Sequence, residues 1–256
     1  MSAATTITGA PSPSVTLTDK DSSVLHALFD AESSAASAEH ARLDATLPSF
    51  PTLPEHQVNA LQSRELAAVR KAQQSNDETV IEGAVAELNT LISEFPLYPS
   101  AYANRAQALR LLSQARGKRD DEDDDHTLFI PENTNLATRL FTDLGQAISL
   151  SAPARPQDKV SPTQARLLAD AYTHRGYLLL KAAKLKREGN LHGGPRPLLE
   201  IERHDTLEEM ASRDFFQGGW FGNKVAQQLS VRTNPYAKMC GAIVKEALKK
   251  ETDDHY

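Results

Sequence analysis

The residues best equipped for chemistry in this chain are a run of six acids, eight histidines, a few glycine breaks and a single cysteine. The acids are Asp120, Asp121, Glu122, Asp123, Asp124 and Asp125. Such a block repels itself and stays solvated, and it offers a docking loop to a basic partner. It does not make a calcium loop, which needs a central Gly and a terminal Glu at set spacing. The histidines, at 26, 40, 56, 126, 174, 192, 204 and 255, form no HExxH and no other ligand spacing. The glycines of "HGG" (192–194) and "GGWFG" (218–222) sit outside any GxxxxGK or GxGxxG phosphate loop. Cys240 alone builds neither a disulfide nor a thiolate zinc site, and it reads as a small core side chain. A Ser-His-Asp site is assembled in space, so spacing is silent on it. The expectation is no metal, no cofactor and no catalytic residue.

Bulk composition points the same way. The net charge of −6 argues against a nucleic-acid binder, which would carry a basic face. No apolar run approaches the roughly 18 residues of a membrane helix, and the first 20 residues lack a signal peptide's basic and apolar regions. A soluble cytoplasmic protein is expected, with nuclear access open. Hydrophobic residues are 40% and aromatics 6%, with much Ala and few β-branched runs, which favours helix.

The elements that must position any site follow from periodicity. Residues 1–20, rich in Ser, Thr and Pro, are expected to be disordered. Val24, Leu25, Leu28 and Phe29 predict a short amphipathic helix over 21–30. Pro48, Pro51 and Pro54 mark 31–53 as a linker. From there to residue 220 the chain reads as helices in pairs. Ser100 is a candidate N-cap, Asp205 and Glu208 a candidate capping box, and Asn223 a cap for a short helix. Capping helices are expected over 221–250, the last opening at "NPYAKMC", with a tail over 251–256.

The pairs repeat. "AYANRAQAL" (101–109) lines up with "AYTHRGYLL" (171–179), and "AVAEL" (84–88), "LFTDL" (140–144) and "ASRDF" (211–215) align as second helices. Small residues at Ala68, Ala106 and Gly176 fall where helices should cross. The spacing between them exceeds one repeat, so loops inserted near 113–134 and 187–204 must absorb the excess.

This pattern resembles the tetratricopeptide repeat, and the order of "VLHALF", "SAYANRAQALRLL" and "NPYAKMC" looks like the tetratricopeptide repeat protein thirty-six family. The resemblance implies an all-α fold, a right-handed superhelix of three such helix pairs (an α-solenoid) with a C-terminal capping helix. It implies a monomeric, non-catalytic adaptor or scaffold holding a protein or peptide in its concave groove. It further implies chaperone association and, as in animal relatives, protection of an enzyme of tyrosine breakdown. By the repeat alignment Asn104, Gln107, Leu111, His174, Tyr177 and Lys181 face the groove. Contact with an Hsp70-type chaperone through a complete carboxylate clamp is not expected. Asn104 matches the clamp, but Glu65, Val69, Asp170 and His174 stand where Lys, Asn, Lys and Arg are required. Two other readings stay open: a small helical hydrolase with a site in the inserted loops, and a self-assembling structural module.

Overall fold

Proline placement and apolar spacing set where the helices of this chain begin and what they bury. The computed structural model describes residues 40–117 and 124–234, without the side chains of Asp124 and Asp125. All of these belong to the compact unit Glu39–Tyr256. The predicted helix over 21–30, Asp120 to Asp123, and the final helix with Cys240 lie outside the described residues.

Among the described residues the fold is all-α. Helix α1 spans Glu55–Gln73 and buries Val58, Leu61, Glu65, Ala68 and Ala72, a spacing of three and four that faces one side. Helix α2, Glu78–Glu94, starts at Asp77, whose carboxylate accepts from the amides of Thr79 and Val80. Helix α3 spans Pro99–Arg116 and begins on its proline. Two 3-10 turns, Asp124–Phe129 and Pro131–Asn133, lead into α4, Thr134–Ser151. Helix α5, Pro162–Arg187, opens with a capping box between Ser161 and Gln164. A single turn, α6 (Arg196–Leu199), precedes α7, His204–Trp220, and Asn223 caps α8, Lys224–Thr233. Two expected caps are not used. Helix α3 starts one residue before Ser100, and α7 starts at His204, so Asp205 sits inside its first turn and pairs with Arg203 instead.

The helices pack in chain order: α1 on α2, α2 on α3, α3 on α4, α4 on α5, α5 on α7 and α7 on α8. In addition α1 meets α3 and α3 meets α5, so the first members of the pairs are neighbours. Crossings are tight where small residues stand. A Cβ at Gly176 would lie 3.0 Å from the Phe215 ring and 3.2 Å from the Ala211 carbonyl oxygen. Ala106 and Leu140 are fully buried, so the larger residue at 140 does not open its crossing.

The loops between helices of the second and third pairs pack on each other. The Gly193 amide donates to the Phe129 carbonyl at 2.6 Å, and Leu128 and Phe129 are fully buried. No other residue fits at 193, since a Cβ there would stand 2.0 Å from the Ile130 carbonyl oxygen.

Residues 40–53 are the described part of the expected linker. That stretch is irregular, as its prolines require, but it is fastened down. Ala41 N–H donates to the Trp220 carbonyl, the Asp44 amide donates to the Val160 carbonyl, and the Val160 amide donates to the Arg42 carbonyl, a short parallel bridge at Leu43. Ser161 donates to the Ser49 carbonyl, and Phe50 is 2% exposed, edge-on to Tyr98. Prolines excluded helix, and one aromatic with a handful of backbone bonds supplied the anchoring.

Candidate functional site

The same three side chains meet twice. In the second pair the Arg105 guanidinium forms a two-pronged pair with Asp143, Nε at 2.7 Å and Nη2 at 2.5 Å, and lies over the Tyr102 ring at 5.6 Å. In the third, Arg175 grips Asp214 at 2.7 and 2.8 Å and lies over Tyr172 at 5.5 Å. The sequence alignment paired Tyr102 with Tyr172 and Arg105 with Arg175. It missed their acids, although Asp143 and Asp214 stood at the same place in "LFTDL" and "ASRDF". Fixed forks of this kind set the angle between helices. Asp214 holds the Arg175 guanidinium further into its charged form, against the opposing effect of burial. Arg105 also reaches Asn89 of α2, an oxygen that Arg139 of α4 shares.

A second network joins α1 to α3. Glu65 is buried, and its two oxygens accept from the Tyr98 hydroxyl and the Asn104 amide, each at 2.6 Å. Burial, followed by the Glu65 charge, pushes the Tyr98 hydroxyl far above the phenol range. Asn104 is therefore committed to a neighbouring helix, with a longer contact to Ser100.

The other expected groove residues are distributed as follows. Gln107, Leu111 and His174 are half-buried. Tyr177 is 41% exposed, with the Arg110 guanidinium 5.3 Å over its ring, so α3 and α5 meet across this face. Lys181 is buried instead of lining open solvent. Its turn of α5 is buried on several sides through Leu178, Leu179, Ala182, Ala183 and Leu185, and desolvation lowers its ammonium pKa. Asp170 reaches solvent, yet enough protein surrounds it to raise its carboxyl, against the pull of Arg166. Glu65 and Asp170 are two of the residues that the resemblance set against the cations of a carboxylate clamp. Of the acidic run, Asp124 and Asp125 open a 3-10 turn, and the rest lies outside the described residues.

Elsewhere, a cleft of about 340 Å³ lies between the 40–42 segment and the end of α7, lined by His40, Arg42, Pro156, Gln157 and Trp220. No group of three or more His, Cys, Asp or Glu able to hold a metal occurs among the described residues. No helix there is long and apolar enough to cross a membrane.

These features define a class: among the described residues, an all-α protein whose helices pack one on the next in chain order. The chain is 55% identical over 247 residues to the L-tyrosine degradation gene cluster protein hmgX of Aspergillus fumigatus, covering 93% of this chain and 94% of the relative. The chain belongs to the hmgX family. A more distant likeness, 26% over 193 residues, links it to tetratricopeptide repeat protein 36 of Danio rerio, covering 75% of this chain and 72% of that one. The resemblance read from the sequence is this second, weaker one. No family model matches the chain, and no solved structure does.

Proposed function

We propose that this chain is a non-catalytic adaptor of the tetratricopeptide repeat type, its helix pairs wound in a right-handed superhelix whose groove holds a client protein. The observation that carries the reading is the recurrence of one lock, Tyr102–Arg105–Asp143 and Tyr172–Arg175–Asp214, around the small crossing residues Ala106 and Gly176. Repeating a lock keeps each pair in the same relation to the next, and a stack built that way exposes its first helices as a continuous surface. The distant zebrafish relative carries the repeat's name, which supports the assignment.

The client belongs to tyrosine breakdown. That part rests on the name of the Aspergillus relative, a protein of a tyrosine degradation gene cluster. An Hsp70-type chaperone would have to be met on another surface, because Glu65 and Asp170 repel an acidic tail. The exposed Tyr177 and half-buried Gln107 are the groove side chains open to a client. Affinity capture from the native cytosol tests the reading. The wild-type chain should retain an enzyme of tyrosine breakdown, and a Gln107→Ala/Tyr177→Ala variant should lose it with unchanged far-UV helix signal. Equal capture by both would remove the groove from the account.

A further inference from the structure

The first helix pair lacks the lock that the other two share. Counting from the small crossing residue, Arg64 stands in place of Tyr102 and Tyr172, Ala67 in place of Arg105 and Arg175, and Glu87 in place of Asp143 and Asp214. Where a guanidinium fills the second and third pairs, the first pair has a methyl group. A cavity of about 340 Å³ opens there, lined by Arg64, Glu65, Ala67, Ala68, Glu87 and Leu88 among others. It includes the positions equivalent to the missing arginine and to its acid.

The charges around it favour a cation. Glu65 is buried and is met by two neutral donors, and among the described residues no cation pairs with it. A buried carboxylate satisfied only by neutral groups gains strongly from a nearby positive charge. Glu87 is exposed, with one oxygen held by Lys71 at 2.5 Å in a solvated pair of little strength. Arg64 is turned to Glu94 at 2.6 Å. Two acids therefore share this wall with one arginine that is engaged elsewhere. A guanidinium fits better than an ammonium, since its flat fork can bond a carboxylate on two sides while its faces lie on apolar surface such as the exposed Ala67.

We propose that this cavity receives the arginine side chain of a partner protein, completing from outside the ion pair that the second and third helix pairs make within the chain. Neither residues 1–39 nor 235–256 contain an arginine, and the one in the undescribed stretch 118–123, Arg119, is removed by Arg119→Ala in the chain that is titrated, so that the chain cannot fill the cavity itself. The site stands apart from the groove reading and does not depend on which client the groove takes.

The probe is N-acetyl-arginine amide, titrated into the full chain with amide chemical shifts followed by NMR, against N-acetyl-lysine amide. Shifts should centre on Ala67 and Glu87, and the lysine probe should bind at least about fivefold more weakly. Ala67→Arg should supply the guanidinium internally, abolish the response and raise Tm. Glu87→Gln, a surface change, should abolish the response and leave the fold intact. Equal response to lysine, shifts centred elsewhere, or an unchanged titration in Ala67→Arg would overturn the proposal. Concentration-dependent dimers that vanish in Ala67→Arg would put the arginine on a second copy and overturn the separate partner.

Discussion

At the scale of single residues, the two Arg–Asp forks decide more than any exposed charge. Asp143 is 2% exposed and Arg105 11%, so water screens little of that pair. Asp143→Ala strands a buried guanidinium, and chemical denaturation should show a loss of about 3–5 kcal/mol. Asp214→Ala should cost less, because Arg175 keeps 28% exposure and its cation can rehydrate. Replacing Arg105 and Asp143 together with Met and Leu should cost less than Asp143→Ala, since the buried guanidinium leaves with its partner. Two of the three side chains in each lock were legible in the sequence. Tyr and Arg three apart lie on one helical face, which spacing reveals. Asp143 and Asp214 sit 38 and 39 residues further along, and only the crossing of helices brings them in. Lys181 shows a related limit of spacing: periodicity assigns a face, and the depth at which later elements bury it is set elsewhere.

At the scale of elements, close approach and fastening carry the predictions. Gly176 lies against the Phe215 ring. Gly176→Leu should destabilise by about 1–3 kcal/mol in denaturant melts, as overpacking forces α5 from α7. Gly193→Ala should release the two inserted loops from each other, seen as lost exchange protection of the Gly193 amide, because its Cβ would collide with backbone that cannot yield. The 40–53 segment has a pH signature. Bonds from the Thr46 hydroxyl and amide, and then from Lys159, hold the Asp44 carboxyl down to about 2, from 3.8. A lowered folded pKa means the support is whole above the ordinary carboxylate range and fades as pH falls through about 2. Exchange protection of the Asp44 and Val160 amides should therefore drop between those limits, and Asp44→Asn should flatten the profile. The helices were readable because apolar spacing of three and four is loud over 17 to 26 residues. This segment was silent: Phe50 is one aromatic among prolines, with no period to announce that it is buried.

At the scale of the whole molecule, the 40–53 segment changes how the parts depend on one another. Packing in chain order makes stability a sum of near-neighbour terms, and such arrays can fray from either end. Here Phe50 enters the core beside Tyr98 and Leu61 of the first pairs, while Ala41 binds the carbonyl of Trp220 at the far end of α7. Phe50→Ala should cost about 3–5 kcal/mol, and its denaturant transition should broaden, with the last pair melting apart from the first. The same segment also works as a ruler. The nine residue steps from Ala41 to Phe50 reach at most about 32 Å when fully extended, and each added layer of helices demands about 8–10 Å more. A line of helix pairs can lengthen by duplication at will only while nothing ties its ends. This one is tied, so its number of pairs is fixed by the length of a short irregular cord, and inserting a fourth would tear Ala41 from Trp220 or pull Phe50 from its pocket.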